Sequence, residues 1–165
     1  MNRLTGLAPV IDADTRLLIL GSFPGVASLK AQQYYGHPQN QLWKILGALW
    51  TLPLMAMPYA ERLVTMRAHG VGLWDVYAAC EREGSLDTAI RAGELNDFVG
   101  LKKQCRQLQG IAHNGGESFK HAKHTEALGV PVYKLPSTSP ANASWSFERK
   151  TEAWREVFKK VGLSA

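Results

Sequence analysis

The stretch Arg16–Gly21 reads RLLILG, and the loop Ser22–Gly25 that follows it reads SFPG. A continuous aliphatic run of this length is typical of a strand that is buried on both faces, and the glycine and proline residues after it mark its end. Strands of this kind occur in parallel sheets that helices cover on both sides. The stretch therefore predicts a buried strand of a parallel sheet.

Three more short apolar runs end in turn residues: Gly70–Trp74, Gly110–Asn114 and Val130–Leu135. Because Pro131 has no N–H to donate, the last strand must lie at a sheet edge or begin at Val132. Helical spacing is found in six segments: Gln39–Leu49, Tyr59–Ala68, Val76–Glu83, Asn96–Leu108, Glu117–Leu128 and Phe147–Val161. This alternation predicts one α/β domain over residues 1–165, with a four-stranded parallel sheet between helices.

The composition indicates a globular chain with an acidic partner. Of its 165 residues 45% are hydrophobic and 20% charged, and 19 Lys and Arg against 14 Asp and Glu give a net charge of +5, which suits nucleic acid. No membrane span and no secretory signal are expected, so the cytoplasm is the expected location. Cys80 and Cys105 are too few for an iron–sulfur cluster and are expected to be buried thiols.

Ligands of open parallel sheets bind at the carboxyl ends of the strands, so the loops after the strands are the candidate site. The first of these loops contains Gly21, Ser22, Pro24 and Gly25. Its glycines let the backbone approach a ligand closely, and its proline stiffens the chain. The alternative is an ordinary turn between a strand and a helix.

The most specific string runs from GSFPG at 21–25 through YYGHPQN at 34–40 to Trp43. It resembles the first active-site motif of the uracil-DNA glycosylase superfamily, most closely in its hypoxanthine-DNA (deoxyinosine) glycosylase branch. The runs LWDV at 73–76, GSLD at 84–87, NG at 114–115 and LPSTSP at 135–140 follow in the family's order. The resemblance covers nearly the whole chain. It implies a three-layer α/β/α fold and a monomeric enzyme, without cofactor or metal, acting on damaged double-stranded DNA.

A glycosylase of this kind flips a deaminated base into a pocket and stacks it on an aromatic ring. The resemblance assigns the stacking ring to Tyr35, with Phe23 as the competing candidate; the alternative is that Tyr34 or Tyr35 only closes the core. The amide of Asn114 can donate to O6 and accept from N1–H of hypoxanthine, or pair likewise with uracil. The alternative for Asn114 is a turn residue before glycines.

The resemblance departs from the superfamily at two positions. Many members carry an acidic or amide side chain where this chain has Phe23, and a His or Asn where it has Leu135. The remaining candidate for orienting the attacking water is Asn40, which matches the asparagine of the branch and is the predicted catalytic residue. Its alternative role is to cap the following helix.

Ser137, Thr138 and Ser139 lie in the second motif and are predicted to contact DNA phosphates through hydroxyl and amide groups. The alternative is a turn before a helix. Asp75, which follows the second strand, is either catalytic or a helix cap. His121 and His124 have no further ligand nearby in sequence, so no metal site is predicted.

These features favour a monofunctional glycosylase, with water as the nucleophile and hypoxanthine as the first substrate. A mismatch-specific uracil-DNA glycosylase with the same fold is the alternative enzyme. A DNA-lesion binding module without catalysis stays open because polar groups are missing at positions 23 and 135. A flavodoxin-like nucleotide binder is disfavoured, since the chain has no glycine-rich phosphate loop.

Overall fold

A computed structural model describes residues 3–163. Its main sheet consists of β2 (Leu17–Gly21), β3 (Val71–Asp75), β6 (Gly110–Asn114) and β7 (Val132–Leu135). The strands are parallel in the order β3-β2-β6-β7, which confirms the predicted sheet. Every residue of the inner strand β2 is buried, and β7 lies at the edge directly after Pro131, as its missing N–H requires.

Seven helices accompany the strands in the described part of the chain: α1 (Val26–Ala31), α2 (Leu42–Trp50), α3 (Tyr59–Ala68), α4 (Phe98–Gln104), α5 (Gly116–Phe119), α6 (Ala122–Glu126) and α7 (Phe147–Lys160). Leu17 and Ile19 of β2 face a core cluster built with α2, α3 and α7. Leu18 and Leu20 face a second cluster, to which α4 contributes. The sheet therefore lies between two layers, as predicted. No helix within residues 3–163 is long and apolar enough to cross a membrane.

A second, antiparallel sheet shares the layer of α4. It contains β1 (Arg3–Thr5), β4 (Tyr77–Glu81) and β5 (Arg91–Leu95) in the order β1-β4-β5. The predicted helix over Val76–Glu83 is therefore wrong. Val76 N donates to Gly21 O and Tyr77 N donates to Ser22 O, at 2.8 and 3.1 Å, and these bonds hold the chain extended where β4 begins. Both residue types also favour strands over helices.

The predicted helix over Glu117–Leu128 is two short helices, α5 and α6. The Tyr77 hydroxyl lies 2.7 Å from both Glu117 Oε2 and His121 Nε2, so the histidine between the helices packs against β4 instead of facing solvent. This contact between distant segments overrides the local helical propensity.

Two predicted helices begin later than expected, because a turn held by Asn40 precedes α2 and the capping residue Asp97 precedes α4. Asn40 Oδ1 accepts from Leu42 N at 3.0 Å, and Asp97 Oδ1 accepts from Gly100 N at 2.9 Å. Residues of this type stabilise a helix start by satisfying its free N–H groups. Cys80 and Cys105 are buried, free thiols, as predicted.

His113 is a fully buried polar residue on β6. Its Nδ1 lies 2.8 Å from Ser118 Oγ and its Nε2 lies 2.8 Å from Thr125 Oγ1, while its ring packs edge-on against Phe119. Burial lowers the pKa of His113 to about 4, so the imidazole is neutral at pH 7. The histidine ties β6 to both α5 and α6.

We expect His113 to make the protein lose stability in mild acid. Between pH 6.5 and 4 the unfolded histidine binds a proton that the folded one does not, because the folded pKa is lower. The contribution of His113 to stability therefore falls as pH falls through this window, by about 3 kcal/mol in total. His113→Asn should remove this loss, measured as free energies of unfolding in urea at pH 7 and pH 4.5.

The matched control is His124→Asn, since His124 is an exposed histidine on α6. This variant should keep the pH dependence of the wild type. If His113→Asn loses stability between the two pH values as steeply as the wild type does, the assignment of a neutral buried imidazole is wrong.

Candidate active site

A chain of hydrogen bonds brings the predicted site segments together at the carboxyl edge of the main sheet. Gln41 N donates to Thr138 O at 3.0 Å, and Thr138 N donates to Asn114 Oδ1 at 3.0 Å. Asn114 Nδ2 in turn donates to the Tyr35 hydroxyl at 3.2 Å. The first motif, the end of β6 and the second motif therefore meet. Asn40 lies directly before Gln41, at which this series of hydrogen bonds begins.

Asn40 is half-buried, and its two amide ends have different surroundings. Its Oδ1 accepts from Leu42 N in a turn directly before α2, but the capping residue of that helix is Gln41, so Asn40 is not the helix cap itself. Its Nδ2 donates to no group within residues 3–163. The bond to Leu42 N is compatible with a catalytic role, because it leaves the nitrogen and one lone pair of the oxygen free.

The two neighbouring tyrosines have different environments. Tyr34 is 4% exposed, and its hydroxyl donates to Ala8 O at 2.7 Å, so it belongs to the core. Tyr35 is less buried and adopts a φ of +55°, a left-handed conformation that costs a residue with a side chain. Such strain is concentrated at functional sites. Of the two tyrosines, Tyr35 is the one presented at this edge.

Phe23 is a core residue, which corrects its assignment as a competing stacking ring. It is 6% exposed and packs in the second core cluster. The Arg82 guanidinium lies over its ring, 5.3 Å from the centroid. Its flat surface is therefore already covered by the protein.

The first loop is held by hydrogen bonds to the segment 82–87, whose structural role the sequence did not indicate. Ser22 Oγ donates to Asp87 Oδ1 at 2.6 Å, and Arg82 donates to Pro24 O at 2.7 Å. Gly25 then precedes the first residue of α1. The run GSLD, in its place among the family's segments, was the only sequence signal for Asp87, and no signal pointed to Arg82.

The second motif combines one buried residue with two more accessible ones. Thr138 is fully buried and its Oγ1 accepts from Asn114 Nδ2 at 3.0 Å, so the prediction that its side chain contacts DNA is wrong in this conformation. The hydroxyls of Ser137 and Ser139 accept from Ser139 N and Ala141 N, at 3.1 and 3.2 Å. Their hydroxyl protons remain available for an outside acceptor.

Asn114 is 7% exposed, and its amide is largely occupied. It donates to the Tyr35 hydroxyl and Thr138 Oγ1 and accepts from Thr138 N. An amide offers two donors and two acceptor sites, so one acceptor site is left. To read both edge atoms of a base, Asn114 would have to exchange one of these bonds for a bond to the base.

Asp75 is a buried carboxyl at the end of β3, paired in register with Gly21. A Cβ on Gly21 would lie 2.5 Å from Asp75 Oδ1 and 3.0 Å from the Tyr35 hydroxyl, so the missing side chain makes room for both groups. Asp75 Oδ2 is buried and has no hydrogen-bond partner within residues 3–163. No helix follows Asp75, so the helix-cap alternative is wrong.

Burial raises the pKa of the Asp75 carboxyl to about 7, and the nearby charge of Asp87 raises it further while Arg82 opposes the shift. Burial also raises the pKa of the Tyr35 hydroxyl, with Asp75 adding to the effect. Near neutral pH this edge therefore carries a neutral phenol beside a carboxyl that is poised between its two protonation states.

Within residues 3–163, no group of three or more His, Cys, Asp or Glu side chains is arranged to hold a metal ion. A surface cleft of about 660 Å³ lies at the opposite, amino end of the sheet, lined by residues that include Asp12, Arg16 and His69. We place the candidate site at the carboxyl edge because the predicted chemical groups meet there.

Comparisons with known proteins show which family the chain resembles. A family model described as the Uracil DNA glycosylase superfamily matches residues 8–158. A protein of Methanosarcina barkeri named "Hypoxanthine DNA glycosylase" is 39% identical over 155 residues, covering 94% of this chain and 98% of that protein. A protein of Methanosarcina acetivorans with the same name is 40% identical over 154 residues, covering 93% and 97%.

The fold is also similar to a solved structure. A solution NMR structure from Methanosarcina acetivorans, described there as a candidate uracil DNA glycosylase, superposes with a TM-score of 0.87 at 38% identity. The match covers 97% of this chain and 99% of that one. From the family match and from relatives of this identity over nearly their whole length, it follows that the chain belongs to the uracil DNA glycosylase superfamily.

Proposed function

We propose that this DNA glycosylase removes hypoxanthine from double-stranded DNA by hydrolysing the N-glycosidic bond, and that it acts as a cytoplasmic monomer without a cofactor. The observation that carries the proposal is the free Nδ2 of Asn40 at the edge where Tyr35 and the second motif meet. The names of the two curated relatives support hypoxanthine as the base.

Asn40 positions the nucleophile in this proposal. Its Nδ2 donates to the oxygen of a water molecule, and the free lone pair of Oδ1 accepts one of the water hydrogens. The water is then fixed beneath the sugar carbon that loses the base. A group held in place before the reaction lowers the barrier because it needs no reorganisation in the transition state.

Tyr35 stacks on the flipped base, which contributes about 1–3 kcal/mol to holding it. Asn114 holds the Tyr35 ring in place by donating to its hydroxyl. When it gives up one of its internal hydrogen bonds, Asn114 also bonds to the edge of the base. The hydroxyl protons of the half-buried Ser137 and Ser139 contact DNA phosphates. Arg149, which is exposed and lies over the Trp145 ring at 4.1 Å from its centroid, adds a positive charge beside this loop.

Uracil is the second candidate base. The NMR structure of the Methanosarcina acetivorans protein, described as a candidate uracil DNA glycosylase, favours it. Uracil also offers the same acceptor and donor pair as hypoxanthine, at O4 and N3–H. The two bases differ in ring size, so relative rates of release distinguish them.

Base release from a panel of lesions is the direct test of the function. We expect the wild-type protein to release free base from duplexes that contain deoxyinosine, and to release it faster than from otherwise identical duplexes that contain uracil or xanthine. Free base is quantified by liquid chromatography under single-turnover conditions. Faster release of uracil favours the second candidate, and binding without any release favours a lesion-binding module.

Asn40→Ala should reduce the single-turnover rate of base release by about 10²-fold or more, the scale expected for a lost positioning group. Folding should survive, because the lost hydrogen bond to Leu42 N costs only about 1 kcal/mol. Gln39→Ala is the control, since it removes a neighbouring exposed amide and should leave the rate unchanged. A folded Asn40→Ala protein with the wild-type rate would refute the assignment.

DNA binding should weaken with salt, because cations on the protein release counterions from phosphates. Each neutralised phosphate adds about −0.9 to the slope of log affinity against log salt. Arg149→Ala should make this slope shallower by about one such contact, measured by fluorescence anisotropy from 50 to 300 mM salt. Arg106→Ala, at the amino end of β6, should leave the slope unchanged. An affinity independent of salt contradicts this mode of binding.

A further inference from the structure

The residues assigned so far do not stabilise the negative charge that develops on the departing base. When the N-glycosidic bond breaks, its electron pair stays with the base, and negative charge accumulates on the ring and its oxygen. Many members of the superfamily carry a His or Asn where this chain has Leu135, and Leu135 is a buried apolar residue that cannot donate a hydrogen bond. Some other group must therefore stabilise the leaving base.

Two buried side chains near the first loop have an atom without a hydrogen-bond partner within residues 3–163, Arg82 through Nη1 and Asp75 through Oδ2, and of the two only Asp75 is a carboxyl. It is 5% exposed, and its Oδ2 makes no hydrogen bond within residues 3–163. Most buried polar atoms in native proteins are paired, so an unpaired carboxyl oxygen calls for an explanation. A ligand that completes the pairing is such an explanation.

The position of the carboxyl suits a base that is stacked on Tyr35. Asp75 Oδ1 and the Tyr35 hydroxyl both lie within 3.0 Å of the point that a side chain on Gly21 would occupy. Asn96 Nδ2 donates to the Asp75 backbone oxygen at 2.7 Å, which fixes the end of β3. Fixed backbone thus holds the carboxyl near the hydroxyl of the proposed stacking residue.

We propose that Asp75 acts as a neutral carboxylic acid and donates a hydrogen bond to the oxygen of the departing base, so that the negative charge developing there is stabilised. This role rests on the proposed glycosylase function and adds a second catalytic residue to it. A donor aimed at developing charge in a water-excluded site contributes to the rate more than the same donor in water does.

The surroundings of Asp75 keep it largely protonated below neutral pH. Burial raises its pKa to about 7, Asp87 adds to the rise and Arg82 opposes it. The phenols of Tyr34 and Tyr35 face the same carboxyl, and burial raises the pKa of each, so both stay neutral. A carboxyl kept neutral by an apolar site so that it can donate a hydrogen bond is a known catalytic device.

The reaction balances without an additional reactant. The bond between the sugar carbon and the base nitrogen breaks with its electrons going to the base, and a new carbon–oxygen bond forms with water. The proton that the water loses neutralises the base. Asp75 ends the cycle protonated, as it began.

The pH dependence of base release tests this role. With deoxyinosine duplex at saturating protein, the single-turnover rate of the wild type should fall by about 10²-fold between pH 6 and pH 9, as Asp75 loses its proton. Asp75→Asn should retain activity and lose this fall, because its amide donates a hydrogen bond at every pH. Asp75→Ala should be slower by about 10²-fold at pH 6.

Two further variants sharpen the test. Asp87→Asn removes a charge that raises the Asp75 pKa and keeps an oxygen for Ser22, so the fall in rate should move to lower pH. Asp14→Asn changes an exposed aspartate at the amino end of the sheet and should leave the profile of the wild type unchanged.

Three results would overturn the proposal for Asp75. The first is a wild-type rate that rises through pH 7, which would make Asp75 a general base. The second is a folded Asp75→Asn protein that still shows the wild-type fall, and the third is a folded Asp75→Ala protein with the wild-type rate. Failure of the glycosylase function itself looks different, because the wild type would then release no base at any pH.

Discussion

The side-chain amide of Asn114 holds the site together. It joins the end of β6 to the backbone and hydroxyl of Thr138 and to the phenol of Tyr35, which are 24 and 79 residues away in the chain. Gly115 allows this approach, because its φ of +99° is easily adopted only by glycine and a Cβ there would lie 3.1 Å from Ser137 Cβ. One buried amide therefore sets the positions of the proposed stacking ring and the proposed DNA-contacting loop.

The structural role of Asn114 limits the part that it can take in the reaction. An amide that holds three segments has little capacity left for the substrate, so the groups with free atoms carry more of the chemistry. Those groups are Asn40, through Nδ2, and Asp75, through Oδ2. Gly21 matters for the same reason, because its missing side chain leaves the space in which the Asp75 carboxyl lies.

The main sheet was predictable because each of its buried strands is a short apolar run that ends in turn residues, and the site segments followed from their places after the strands. The second sheet was not predictable. The exposed strand β5 reads RAGEL and has no alternation of apolar residues, while β4 is held extended by bonds to the first loop. The hydrogen bonds from Arg82 to Pro24 O and from Ser22 to Asp87 join segments that are distant in sequence. They depend on side-chain directions that local sequence patterns do not encode.

The buried His113 also has a consequence for where hydrogens lie in the core. Ser118 Oγ is within 2.8 Å of Leu20 O, and Thr125 Oγ1 is 3.0 Å from Ala122 O, so both hydroxyls have a carbonyl to which they can donate. A neutral imidazole carries one N–H for its two hydroxyl neighbours, and its other nitrogen must accept. One hydroxyl therefore turns its hydrogen from a carbonyl toward the ring. The tautomer of a single histidine thus decides which carbonyl, on β2 or on α6, gives up its hydroxyl donor.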